Sequence, residues 1–161
     1  MSSSLKNLSD FNHTLIPNGK GMKVGLVVAE WNIEITGALR DGAIKTLVEN
    51  GVIESDITIK YVPGSFELTL GAQFLCENSS TDAVIALGCV IQGETRHFDF
   101  ICDAVAHGIT NVSLKYNKPV VFGVLTPNTL QQAQDRAGGK HGNKGDEAAV
   151  TAIKMLALKN S

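Results

Sequence analysis

Apolar positions along the chain fall into two rhythms. Met22–Ala29 (MKVGLVVA), Ala83–Ile91 (AVIALGCVI) and Pro119–Leu125 (PVVFGVL) are short, nearly unbroken apolar runs rich in valine. Strands buried on both faces read this way. Asp56–Val62 (DITIKYV) alternates apolar and polar positions and predicts a fourth strand. Between these runs the apolar residues recur at helical spacing. Asn32–Glu49 carries Leu39, Ala43, Leu47 and Val48, with Gly51 as a stop. Phe98–Tyr116 carries Ile101, Val105, Ile109 and Val112 on one face. Asn143–Leu158 carries Ala149, Ala152, Ile153 and Leu156. Pro63–Gly64 breaks the second strand, and Ser65 is placed to cap a helix running through Cys76. Asn128 or Thr129 caps a short helix to Ala137, and a glycine-rich turn follows.

The resulting order, βαβαβαβαα, predicts an α/β fold. Strands alternating with helices imply a central, mostly parallel four-stranded sheet with right-handed crossovers and helices on both faces, a three-layer sandwich. Residues 1–21, with Pro17, Gly19 and Gly21, read as an irregular arm ahead of one domain over residues 22–161. Such an arm can add a strand to a neighbour's sheet.

Composition narrows the function classes. The chain has 161 residues, 43% hydrophobic and 19% charged, which suits one globular core and not a disordered segment. A net charge of −2 argues against nucleic acid or an anionic membrane as main partner, because both call for a basic face. No run is long and apolar enough to cross a bilayer. Met1–Asn12 lacks the charged-then-apolar order of a signal peptide, so a cytoplasmic location is expected. Cys76, Cys89 and Cys102 are odd in number, sit in apolar stretches and form no Cys-x-x-Cys pair. They read as buried thiols and not as a disulfide framework or zinc site.

Parallel α/β folds bind ligands beyond the carboxyl ends of their strands. All four predicted strand ends carry more than a connection needs: Glu30–Trp31–Asn32, Pro63–Glu67, Gln92–Asp99 and Thr126–Asn128. Trp31 offers a flat face to a heterocycle, or closes the top of the sheet as a core-edge aromatic. Ser65 and Glu67 first of all suit a helix start, by capping and by the helix dipole. The same turn presents N–H groups to a ligand. Gly93–Glu94–Thr95 offers amides and a hydroxyl to an anion, or is an ordinary loop. His97 is the best acid/base candidate, since its free pKa lies near neutral. His107, in a helix, and His13, in the arm, lack such company. Arg136, Lys140, His141 and Lys144 interleave with Gly138, Gly139, Gly142 and Gly145. They read as a phosphate clamp, or as cations compensating a helix C-terminus. The segment is no Walker loop: it follows a helix, and Gly145–Asp146 stands where Lys–Ser/Thr belongs. His97 and Asp99 are too few for a metal site. No Gly-x-Ser-x-Gly elbow exists, and Cys89, inside an apolar strand, makes a poor nucleophile.

These segments resemble the 6,7-dimethyl-8-ribityllumazine synthase family over most of the chain, from about Gly21 to the C-terminus. The motifs stand in order: Trp31–Asn32, VPGSFEL at Val62–Leu68, ALGCVIQGETRHFDF at Ala86–Phe100, FGVLT at Phe122–Thr126, and QAQDRAGGKHGNKGDEAA from Gln132 to Ala149. The resemblance implies a flavodoxin-like fold. It implies condensation of 5-amino-6-(D-ribitylamino)uracil with 3,4-dihydroxy-2-butanone 4-phosphate, giving the lumazine, phosphate and water, with no cofactor and no metal. It places the pyrimidine on Trp31, with Phe122 coming from a neighbouring subunit, and the ribityl chain and ring at Ser65, Phe66 and Glu67. The backbone of Cys89, Val90 and Ile91 also meets the pyrimidine. Glu94 and Thr95 meet the phosphate-bearing substrate, His97 donates the proton, and Arg136 binds phosphate with Lys140 as helper. It also implies pentamers with sites between subunits. The short turn Gly138–Gly145 lacks the insertion of members that stop at pentamers, so a hollow shell of twelve is expected.

Four positions depart from the family pattern. Trp31 replaces the usual phenylalanine, Thr69 stands where proline is common, Gln92 replaces a basic residue, and Arg96 precedes the histidine. A cation beside His97 would disfavour its protonated form. Two other functions compete. One is a flavin- or lumazine-binding shell with little catalysis, suggested by Trp31. The other is a receiver-type signalling domain, which lacks its acidic cluster and phosphoacceptor aspartate here.

Overall fold

Valine, leucine and isoleucine strands that pair side by side need both faces covered, and that requirement organises this molecule. The computed structural model describes residues 7–77 and 80–161. The strands are β1 (Val24–Ala29), β2 (Ile57–Val62), β3 (Ala83–Cys89) and β4 (Val120–Leu125). They form one sheet in the order β2-β1-β3-β4, and every pairing is parallel. The helices are α1 (Ile33–Glu49), α2 (Leu68–Glu77), α3 (His97–Tyr116), the short α4 (Leu130–Gln134) and α5 (Lys144–Lys159).

Alternation along each strand divides the core. Leu26 and Val28 of β1 and Ile85 and Leu87 of β3 pack with Leu39 and Leu47 of α1 and Ile153 of α5. Val27, Val84 and Ala86 face the other way, onto Leu68 and Leu75 of α2 and Val105 and Ile109 of α3. The result is the three-layer α/β sandwich expected from the strand and helix rhythm, flavodoxin-like in architecture, with all four strands parallel. Helices α1 and α5 approach closely because the second residue of α5 is a glycine: a Cβ on Gly145 would collide with the Leu39 carbonyl.

Three local features differ from the sequence expectation. The glycine-rich turn after α4 is a small antiparallel hairpin, β5 (Ala137–Gly139) with β6 (Gly142–Asn143). The arm holds a single helical turn at His13–Leu15, and Ile16 packs against the core. Ser65 does not cap α2 with its side chain, since its hydroxyl has no hydrogen-bond partner. The expected strand addition by the arm falls in part on residues 1–6, outside the described residues.

Candidate active site

The strand order reverses between β1 and β3: β1 is followed by β2 on one side, and β3 by β4 on the other. Such a switch point opens a crevice at the carboxyl ends of the strands. Hydrogen bonds beyond the ladder hold these ends together. Glu30 N–H donates to the Val62 carbonyl at 2.8 Å and Trp31 N–H to the Pro63 carbonyl at 3.1 Å. On the other side Val90 N–H donates to the Leu125 carbonyl at 2.8 Å and Gln92 N–H to the Pro127 carbonyl at 3.0 Å.

A cleft of about 500 Å³ lies there, lined by Trp31, Asn32, Ser65, Phe66, Glu67, Cys89, Val90, Ile91 and His97. Trp31 is 73% exposed and Phe66 56% exposed, so both rings present broad apolar faces at the rim. Ser65 is the opposite, 7% exposed, with an unpartnered hydroxyl in the wall of the cleft. A buried hydroxyl without a partner is costly unless a ligand completes it. His97 stands at the first position of α3, exposed. Its N–H lies 3.4 Å from Thr95 Oγ1, a long contact. Burial pushes the Cys89 thiol up to about 11, so it stays protonated at neutral pH and offers its backbone, not a nucleophile.

One residue that the sequence motif contained but assigned no role is central to this geometry. Asn32 has left-handed backbone angles, φ 61° and ψ 45°, at the entry to α1. Its side chain does not cap the helix. Its Nδ2 donates to the Cys89 carbonyl at 2.9 Å, tying the end of β1 to the end of β3. Asparagine tolerates this left-handed conformation, and the bond fixes the two strand ends relative to each other. Thr36 supports it from the next turn, its hydroxyl donating to the Ala29 carbonyl at 2.7 Å.

Phe122 and Arg136 lie elsewhere. They line a second cleft, about 320 Å³, together with Leu8, Thr126, Asn128, Gln132 and Lys144. No described residue lines both clefts. Arg136 donates to the Gln132 carbonyl at 3.1 Å, which leaves further guanidinium N–H groups for a ligand. Lys144, placed in the basic cluster but given no substrate by sequence reasoning, sits beside it and pairs with Glu147 at 3.1 Å. Lys140 is exposed at the tip of the hairpin and lines neither cleft. Glu94 and Thr95 are exposed on the loop before α3, also outside both linings. Arg96 is directed to Asp99, at 3.7 Å, and over the Phe100 ring, 5.8 Å from its centroid. Among the described residues no cluster of three or more His, Cys, Asp or Glu side chains could hold a metal ion. Among the same residues no helix is long and apolar enough to cross a membrane.

A parallel sheet with an apolar-walled cleft at its switch point is the architecture of α/β enzymes that act on small organic molecules. Comparison with known proteins gives the particular family. The model of the 6,7-dimethyl-8-ribityllumazine synthase family matches residues 21–160. A protein of that name from Cytophaga hutchinsonii is 62% identical over 157 residues, covering 98% of each chain. Others of the same name are similar along their whole length. That of Parabacteroides distasonis is 53% identical, over 97% of this chain and 98% of its own. That of Porphyromonas gingivalis is 52% identical, over 99% of both. This chain belongs to the 6,7-dimethyl-8-ribityllumazine synthase family, and is with it a transferase of riboflavin biosynthesis.

Proposed function

We propose that the protein condenses 5-amino-6-(D-ribitylamino)uracil with 3,4-dihydroxy-2-butanone 4-phosphate, releasing the lumazine, phosphate and water, at a site completed by a second copy of the chain. The observation that carries this reading is the division of most of the expected site residues between two clefts that share none of them. In the first cleft Trp31 stacks on the pyrimidine, the backbone at Cys89–Ile91 reads its edge, and Ser65, Phe66 and Glu67 hold the ribityl chain. The unpartnered Ser65 hydroxyl suits a polyol. His97 moves the proton that carbinolamine dehydration requires. From the second cleft, in the neighbouring copy, Phe122 covers the ring and Arg136 takes the phosphate, stabilising charge as it leaves. Glu94, Thr95 and Lys140 approach the phosphate-bearing substrate from outside these linings. The remaining catalytic effect is holding two substrates in register.

Surface character supports assembly with other copies. Leu70 and Phe74 stand one turn apart on α2, exposed, with Phe66 just ahead of them. Contiguous apolar surface of this kind is normally covered. We infer a ring of copies, pentameric and packed into a hollow shell as the family resemblance implies, working in the cytoplasm. A native mass near that of one pentamer would exclude the shell.

The function is tested by mixing both substrates with the protein and following lumazine fluorescence. A rise well above the spontaneous rate is expected, and no rise would reject the assignment. A binding shell with little catalysis has only the exposed ring of Trp31 in its favour.

A further inference from the structure

The arm ahead of β1 meets the Arg136 cleft at one place. Asn7 folds the chain there. Its Oδ1 accepts from the Ser9 N–H at 2.8 Å and its carbonyl from the Asp10 N–H at 3.2 Å, a turn that asparagine favours. The turn delivers two hydrogen bonds to the β5–β6 hairpin. Leu8 N–H donates to the His141 carbonyl at 2.7 Å, and Ser9 Oγ accepts from the Asn143 N–H at 2.8 Å. Leu8 itself lines the cleft that holds Arg136 and Phe122.

The hairpin depends on outside support. Its ladder has two paired positions, Ala137 with Asn143 and Gly139 with Gly142, and a register shift between them. Three of its glycines, Gly138, Gly139 and Gly142, bring no side chain to pack. A two-stranded hairpin is marginal on its own even when longer. Yet this one sets the backbone of Arg136, whose carbonyl accepts from the Lys144 N–H at 2.9 Å across the base of the hairpin. On its inner side, Asn143 reaches α1, donating from Nδ2 to the Ala38 carbonyl at 2.9 Å. On its outer side the described support is the arm. Contact is tight: a Cβ at Gly142 would collide with Asn7 and Ser9.

We propose that residues 7–9 are a strap that holds the phosphate clamp in place, with Ser9 as a positioning residue and Leu8 as a wall of the phosphate-side cleft. The inference rests on the reading of Arg136 as phosphate ligand. Steady-state kinetics on the assembled full-length protein, each substrate varied in turn, test both. In Ser9→Ala the buried Asn143 N–H loses its acceptor. The KM for the butanone phosphate should rise about three- to tenfold. The KM for the pyrimidine and kcat should stay within about twofold. Ser9→Thr keeps the acceptor and should restore the wild-type KM. Gly142→Ala crowds the arm and also strains a hairpin backbone at φ 80°, so it should shift the same KM in the same direction and by more than Ser9→Ala. Arg136→Ala is the reference. If it leaves the butanone phosphate KM unchanged, the clamp reading fails. If it raises that KM while Ser9→Ala and Gly142→Ala match wild type, the strap fails and the clamp stands. A Ser9→Ala protein in which both KM values rise together would also overturn the strap, since that pattern marks general destabilisation.

Discussion

The proposed function gives His97 and Arg136 different tasks, so substitutions at the two should separate in kinetics. His97→Ala removes a proton carrier and should lower kcat on the order of 10²-fold, the low end for positioned acid–base groups. Arg136→Ala removes charged hydrogen bonds to a bound anion and should raise the KM for the butanone phosphate about 10- to 100-fold, with the pyrimidine KM unchanged. The buried thiol of Cys89 makes a prediction of another kind. Its folded pKa is raised from 9.0 to about 11. At lower pH the thiol is protonated in both states and linkage is silent. As pH rises from about 9 to about 11 the unfolded chain ionises first, so stability is lost across that window. The urea midpoint should fall there, and fall less in Cys89→Ala. Single residues were unevenly legible in the sequence. His97 is the acid/base candidate by chemistry and position, whereas Arg136 is one of four basic residues in a cluster and takes its role from the family resemblance. Asn32 did not stand out, because its role rests on a left-handed backbone and a carbonyl 57 positions away, neither of which residue type encodes. Ser65 looked like a helix cap. It does stand just ahead of α2, but its hydroxyl is buried against Gly88 and bonds no helix N–H.

At the scale of elements, close helix packing is the feature most open to test. Gly145→Ala places a methyl group on the Leu39 carbonyl and should cost about 1–3 kcal/mol, read as a lower denaturant midpoint. Gly37, within α1, has open space at the same position, and Gly37→Ala should instead stabilise by about 0.5–1 kcal/mol. Equal shifts in the two variants would refute the packing argument. The four strands and the long helices were readable because their apolar period is set by the sheet and helices they join. The hairpin at Ala137–Asn143 was not, because glycines carry no period and its pairing is imposed by α1 and the arm. The apolar pattern starts α3 at Phe98, one residue late, since His97 is polar and exposed, as a loop residue would be.

For the whole molecule, the separation of the two clefts is the property that matters. Co-assembly of His97→Ala with Arg136→Ala tests whether a site draws on two copies. In a random ring of head-to-tail contacts about a quarter of the junctions pair an intact His97 with an intact Arg136, and activity should recover to that level. No recovery above the separate variants would place both residues in one subunit's site. The fluorescence gain is best measured after native mass analysis, so that assembled species are compared. A site shared between copies, as proposed, would also govern gene dosage. A subunit carrying both lesions spoils two sites, one on each side of it. Activity then follows the square of the intact fraction. A cell expressing equal amounts of sound and doubly defective chains should keep about a quarter of its output and not half, which makes the defective allele partly dominant.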